Sequence, residues 1–377
     1  MNRRLTALVA ALASSLALGA CQSNPQNEIV VGEFASLTGG TATFGRSSDA
    51  GVQLAIEEIN EAGGLIGKKV RVVVEDDQSK PEEARTAVLK LLKQDRVVAV
   101  IGEVASSRSL AAAPECQRAG VPMISPASTN PKVTAVGDYV FRVCFIDPFQ
   151  GSTMAKFAIE TLHAKTAAIL RDIKNDYSVG LADFFRDEFV RRGGKILNDV
   201  SYSEGDIDFK AQLTAIRGVG ADVVFVPGYY TEVGLIARQA RELGITAPLL
   251  GGDGWDSPRT VEIGGKAVNG CYFSNHYAAD DPNAVVQSFI DKFRKKYKEV
   301  PDAMAVLGYD ATQVLADAIR RAGTTDGKAL RDAIAATKDF PGVSGKITID
   351  EQRNPRKSIV VLKIEDGQVK FFQKVEP

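Results

Sequence analysis

Histidine is nearly missing from this sequence: His163 and His276 are the only two. Histidine is the commonest general acid or base, so few hydrolytic arrangements remain open. Neither H-E-x-x-H nor G-x-S-x-G occurs, and no G-x-G-x-x-G follows a strand-like run. Gly64-Leu65-Ile66-Gly67-Lys68 lacks both phosphate-loop spacing and a Ser or Thr after the lysine. An excess of either charge is absent too. The chain carries 46 Lys and Arg against 47 Asp and Glu, a net charge of −1. With no basic stripe or interleaved aromatic patch, nucleic acid is not an expected partner. Four cysteines without a C-x-x-C pair exclude a dense disulfide framework and a thiolate metal site. Asp76-Asp77 reads as a solvated strand end, so neither metal nor cofactor is expected. His163 falls at a helix end, where a cation meets the dipole favourably. His276 has no nameable nucleophile beside it.

What is present describes a globular chain with room for two domains: 377 residues, 45% hydrophobic and 25% charged. The N-terminus differs in character. Arg3 and Arg4 precede the apolar run Leu5 to Ala20, which contains no acidic residue and ends Leu18-Gly19-Ala20-Cys21. That is the build of an export signal, too short for a comfortable span of ~20 residues. The small residues before Cys21 look like a bacterial lipobox. Residues 1–20 are therefore read as a lipoprotein signal peptide, Cys21 as the lipidated residue, and Gln22 to Asn27 as a tether. Cys116, Cys144 and Cys271 sit in or beside apolar segments, as buried free thiols do.

From Ile29 onward, strand and helix patterns alternate. Strand Ile29–Phe34, a Gly- and Thr-rich loop Ala35–Gly45 and a helix from about Ser48 to Ala62 come first. Strand Val70–Glu75 follows, and then a helix opened by Pro81 in the N1 position. The stretch Val97 to Asn130 reads strand, turn, helix, strand, turn. Both of its strands end in loops of small hydroxyl residues, Ser106-Ser107 and Ser125 to Asn130. In a parallel sheet such loops lie side by side, next to helix N-termini with unpaired N–H groups. That place suits a carboxylate, although serine and threonine also cap helices for purely local reasons. After Asp147-Pro148 the alternation restarts and runs to about Phe273. This gives a second doubly wound parallel block. Residues 281–336 are nearly all helical, and strands Lys346–Ile349, Ser358–Ile364 and Val369–Phe372 close the chain.

GEVASSRS followed by VPMISPASTNPKVT closely resembles the periplasmic branched-chain amino acid-binding proteins, solute receptors of ABC importers. The likeness extends from about Ile29 to Phe372 through VGEFASLTGGTATFG, GVQLAIEEINEAGGLIGKKV, DVVFVPGYY, GGDGWDS and GYDATQVLADAI. It implies the type I periplasmic binding fold, two α/β lobes joined by three hinge crossings near residues 147, 276 and 356. The implied lobes are 28–147 with 277–355, and 148–276 with 356–377. The helical block would then cover the first lobe, and the closing strands would straddle both. A disulfide found in some relatives aligns with Ser79 and Ala105, so it is absent.

The resemblance also implies a site. In the first lobe, Ser106, Ala127 through its carbonyl, Ser128 and Thr129 match the positions that hold the ligand carboxylate and ammonium. Phe44 and Met304 match apolar contacts. Tyr177 and Tyr229 match second-lobe aromatics that meet the ligand on closure, with Tyr230 an alternative to Tyr229. Asp253 stands where the branched-chain receptors use a glutamate for the ammonium, a shorter side chain at the key position. Trp255 either roofs the pocket or braces its loop. The expected function is extracytoplasmic capture of a small, aliphatic or branched-chain amino acid for an ABC permease. The protein is expected as a monomer on a lipid anchor, without catalysis. A ligand sensor of the same fold, or a receptor for a related amide or carboxylate, is the alternative.

Overall fold

The computed structural model describes residues 28–376. The signal segment, Cys21 and the tether lie outside them. The first part of the chain alternates β1 (Glu28–Ala35), α1 (Ala42–Glu61), β2 (Lys69–Asp76), α2 (Pro81–Lys93), β3 (Val100–Ile101), α3 (Ser106–Ala119), β4 (Met123–Ser125), α4 (Lys132–Ala135) and β5 (Val140–Arg142). Its strands form one parallel sheet in the order β2-β1-β3-β4-β5. Helix α2 shows why these segments fold locally. Pro81 starts it, Glu82 and Glu83 occupy the first turn, and Lys90 and Lys93 the last, each on its favourable end of the dipole.

The second part runs α5 (Asp147–Glu160), β6 (Thr166–Asp172), α6 (Asp176–Arg191), β7 (Lys195–Tyr202), α7 (Lys210–Val219), β8 (Val223–Phe225), α8 (Tyr230–Glu242), β9 (Leu249–Gly251), α9 (Pro258–Gly264) and β10 (Tyr272–Asn275). Then come α10 (Ala284–Tyr297), α11 (Ala303–Ala322), α12 (Gly327–Ala335), β11 (Phe340–Gly342), β12 (Gly345–Ile347), β13 (Ile359–Glu365) and β14 (Gln368–Val375). The second sheet has the order β14-β13-β10-β9-β8-β6-β7.

Two expectations change here. The second sheet is not wholly parallel: β13 and β14 add antiparallel to its edge, while β12 pairs only with β11. The second sheet is therefore mixed, with an antiparallel margin on a parallel centre. Helix α1 also starts six residues earlier than its apolar stripe indicates, so Phe44 lies in its first turn rather than in a loop. The helical block does return to the first sheet. Helix α11 packs along α1 and touches β3 and β4. The two helices cross backbone to backbone, because a Cβ on Gly51 would meet Ala305 O at 2.0 Å and one on Gly308 would meet Ser48 O at 2.4 Å. Cys116, Cys144 and Cys271 are free and buried. Ser79 holds its loop by donating to Thr38 O at 2.9 Å and accepting from Thr41 N at 3.2 Å.

Candidate functional site

Parallel strands present their carboxyl ends on one side, and ligands of open α/β sheets gather there. Both sheets point those ends at one crevice. From the first sheet, β3 leads into α3 and β4 into residues 126–131. From the second, β6 leads to Tyr177, β8 to Tyr229, β9 to Asp253 and β10 to His276. Hydrogen bonds cross the crevice and hold it shut. Asp176 N donates to Ser107 Oγ at 2.9 Å, Asn130 Nδ2 to Asp176 O at 2.8 Å, and Thr231 Oγ1 to Gly40 O at 3.0 Å.

Within the closed crevice lies a small cavity. Ser106, Ala127 and Thr129 line it from the first sheet's loops, with Val104 beside them. Phe44 and Met304 add apolar wall from the N-termini of α1 and α11. Tyr177, Tyr229, Asp253 and Gly254 close it from the other side. Eight of the nine expected residues thus meet around one space.

Ser128 is the exception. Its hydroxyl donates towards Glu103 O at 2.8 Å and lies 2.7 Å from Ser109 Oγ, and its N–H donates to Ser125 Oγ at 2.9 Å. Its carbonyl accepts from Arg142. Every polar group of Ser128 is committed to the protein, so it supports the loop from behind.

The polar groups that do face the cavity are less committed. Thr129 Oγ1 is buried and makes no hydrogen bond of good geometry, and no donor among the described residues reaches Ala127 O. Helix α3 begins at Ser106, a lining residue whose Oγ accepts from Asn130 N at 3.2 Å, and the first N–H groups of a helix have no partner within it. Close by, burial drives the carboxyl of Asp147 well above its ordinary range, against the opposing effect of the Thr129 hydroxyl. Asp253 is held at both oxygens, by Gln150 Nε2 at 2.8 Å and by His276 Nε2 at 3.0 Å. Neither Gln150 nor His276 was marked as a site residue in the sequence.

The aromatic wall is ordered by stacking. Tyr177 and Tyr229 lie parallel at 5.4 Å, and Phe44 meets Tyr229 edge-on at 5.6 Å. Asn175 fixes Tyr177 by accepting its N–H at 3.0 Å, and the Tyr177 hydroxyl accepts from Gly254 N at 3.1 Å. Gly254 is required: a Cβ there would lie 2.6 Å from Gly228 O and 2.9 Å from the Tyr229 ring. Tyr230 reaches past the cavity instead, its hydroxyl accepting from Thr43 N at 3.1 Å. Trp255 braces its loop, buried in the second core and donating to Val226 O at 2.9 Å.

The sequence profile of the family described as periplasmic binding protein matches residues 28–368. The chain belongs to that family. A Leu/Ile/Val-binding protein, BraC3, of Rhizobium johnstonii is 34% identical over 352 residues, covering 92% of this chain and 93% of its own. A leucine-binding protein, LivK, of Thermotoga maritima superposes with a TM-score of 0.89 at 42% identity, over 93% of this chain and 99% of that one. The branched-chain amino acid transporter substrate-binding protein LivJ of Streptococcus pneumoniae, solved with isoleucine, gives 0.89 at 35% identity, over 93% and 100%. The fold is therefore the type I periplasmic binding fold. Among the described residues no helix is long and apolar enough to cross a membrane, and no cluster of potential metal ligands occurs.

A second contact across the crevice carries a pH dependence. Asp256, beyond β9, accepts from Ala303 N at 2.6 Å at the start of α11. Asp302, the N-cap of that helix, accepts from Ala305 N at 3.1 Å and from Ser47 Oγ. Burial, and then the neighbouring Asp256, push the Asp302 carboxyl up to about 7. Asp256 is raised as well, chiefly by burial. The folded chain thus keeps a proton that the unfolded chain releases near pH 4. Its contribution to stability is whole below that pH and is lost as pH rises towards 7. Asparagine caps a helix as well as aspartate, so Asp302→Asn should flatten the fall in melting temperature between pH 4 and 7. Parallel profiles for the two proteins would contradict this assignment.

Proposed function

We propose that this protein is an extracytoplasmic receptor that captures a small aliphatic amino acid in the crevice and delivers it to an ABC permease. One observation carries the reading. Ala127, Thr129 and Asp253 line a single cavity together with the apolar side chains of Phe44, Val104 and Met304, and among the described residues neither Thr129 Oγ1 nor Ala127 O accepts a hydrogen bond. Three acceptors suit an ammonium. The first turn of α3 and the Ser106 hydroxyl suit the carboxylate, and Phe44, Val104 and Met304 suit an aliphatic side chain. Tyr177 and Tyr229 would complete the enclosure as rigid surfaces with polar tips. Ala127 acts through its carbonyl; Ser128 acts by holding the loop.

The receptor works by binding and closure, with no catalytic step, metal or cofactor. Residues 28–147 with 277–355 form one lobe, and 148–276 with 356–377 the other. The membership of β1 to β5 in one sheet and β6 to β10 in the other supports that division. The crossings near 147, 276 and 356 permit closure on the ligand. The receptor acts as a monomer.

Aliphatic amino acids should raise the melting temperature in a screen of all twenty. Ligand at 100 times its Kd adds ~2.7 kcal/mol, and a screen without any amino-acid hit would refute the reading. Thr129→Val keeps the shape and removes one bond to a charged group, worth ~1.5–3 kcal/mol. Leucine should bind ~10- to 150-fold more weakly by titration, and a change below twofold would place Thr129 outside the site. We also propose that Cys21 carries a lipid anchor, on the motif Leu18-Gly19-Ala20-Cys21. Cys21→Ser should move the protein from the membrane to the soluble fraction, and identical fractionation would remove the anchor.

A further inference from the structure

Asp253 projects only one methylene from its backbone, so its carboxylate cannot search for a ligand by bending a long side chain. Its aim depends on what holds it. The C-terminal end of β9 leads to Asp253, and the neighbouring β10 ends at Asn275, one residue before His276. Gln150 reaches the same carboxylate from the first turn of α5. Gln150 Nε2 stands 2.8 Å from Oδ1 and His276 Nε2 3.0 Å from Oδ2, and all three residues are buried.

The imidazole is itself fixed. Phe145 stacks on it with ring centres 3.7 Å apart and planes inclined by 19°, and the backbone N–H of His276 donates to Asn275 Oδ1 at 2.8 Å, holding the main chain that carries the ring. No group among the described residues bonds the ring Nδ1 of His276.

We propose that His276 and Gln150 are positioning residues for the ligand's ammonium: each donates one N–H to a different oxygen of Asp253 and turns the remaining lone pairs into the cavity. This rests on the amino-acid reading given above. A carboxylate offers about four lone-pair sites over its two oxygens, so one bond to each leaves acceptors for a third donor. The charge balance supports it. Burial lowers the His276 pKa below its ordinary value, with the positive charge of Lys357 adding to that and the bond to Asp253 opposing it. A neutral imidazole donates one hydrogen bond and cancels none of the carboxylate's charge. An arginine or lysine in its place would aim Asp253 equally well and neutralise it. The aspartate thus replaces the glutamate of the branched-chain receptors without losing its aim, since two donors supply the rigidity and its full charge stays in the cavity.

The test pairs variants with two probes, leucine and 4-methylpentanoate, which is leucine without its amine. His276→Leu removes the donor and should weaken leucine about 10-fold or more while changing 4-methylpentanoate less than twofold. His276→Gln restores an N–H at similar reach and should recover leucine affinity to within about threefold of the parent. Gln150→Met removes the other donor, should repeat the leucine-selective loss, and decides the matter if His276→Leu does not fold. Equal weakening of both probes would assign these residues to packing alone and overturn the inference, as would leucine binding within twofold of the parent in both donor-less variants. A parent protein that binds no amino acid would overturn the receptor reading and this inference together. Tight leucine binding by the parent with indifferent variants would overturn this inference only.

Discussion

Asp253→Asn should weaken leucine by roughly 2–5 kcal/mol, or roughly 30- to 5,000-fold, with little effect on the melting temperature of the unliganded protein. An ammonium loses its water when the crevice closes, and leaving it unpaired in a buried site costs several kcal/mol. The other groups available to it, Ala127 O and Thr129 Oγ1, are neutral. The fold should tolerate the change for a local reason. Asparagine keeps one acceptor for Gln150, and a neutral His276 can shift its proton to Nδ1 and accept at Nε2. Titration calorimetry measures the loss, and parent-like affinity would remove the electrostatic basis of the site.

Arg142→Met should have the largest effect on stability. Arg142 is fully buried, donates to Ser128 O, and reaches Asn130 O at 2.8 Å and Thr134 Oγ1 at 3.3 Å. It therefore satisfies carbonyls of the loop that positions Ala127 and Thr129. Methionine fills similar space and removes both charged hydrogen bonds, leaving Ser128 O only the Cys144 thiol at 3.5 Å and Asn130 O only the Val133 N–H at 3.1 Å. At ~1.5–3 kcal/mol for each bond to a charged group, the loss is roughly 3–6 kcal/mol, read as a lower urea midpoint without ligand. Leucine affinity should fall as well, because the loop loses its brace. A shift below ~1 kcal/mol would show that the loop holds itself.

Much of this was legible in the sequence, for identifiable reasons. Pro81, suited to the N1 position, marked the start of α2. The two hydroxyl-bearing loops after Ile101 and Ile124 marked one side of the cavity, because parallel strands place such loops together. Illegible features depended on partners distant along the chain. The bond from Gln150 to Asp253 spans 103 residues, and nothing near Gln150 signals it. His276 carried no motif and found its role through the pairing of β9 with β10. Ser128 looked like its neighbour Thr129, but the backbone carbonyls of Glu103 and Val104 took its hydroxyl. Strands β13 and β14 were recognisable as strands, yet an apolar run does not say which sheet edge it will join.

The central claim is that the crevice recognises both charged ends of an aliphatic amino acid. The most direct test is titration of the unaltered protein with leucine, 4-methylpentanoate and leucinamide, the last two lacking the amine and the free carboxylate in turn. The account predicts that leucine binds at least roughly 30-fold more tightly than 4-methylpentanoate and at least about 10-fold more tightly than leucinamide. Binding of either analogue as tightly as leucine would contradict it.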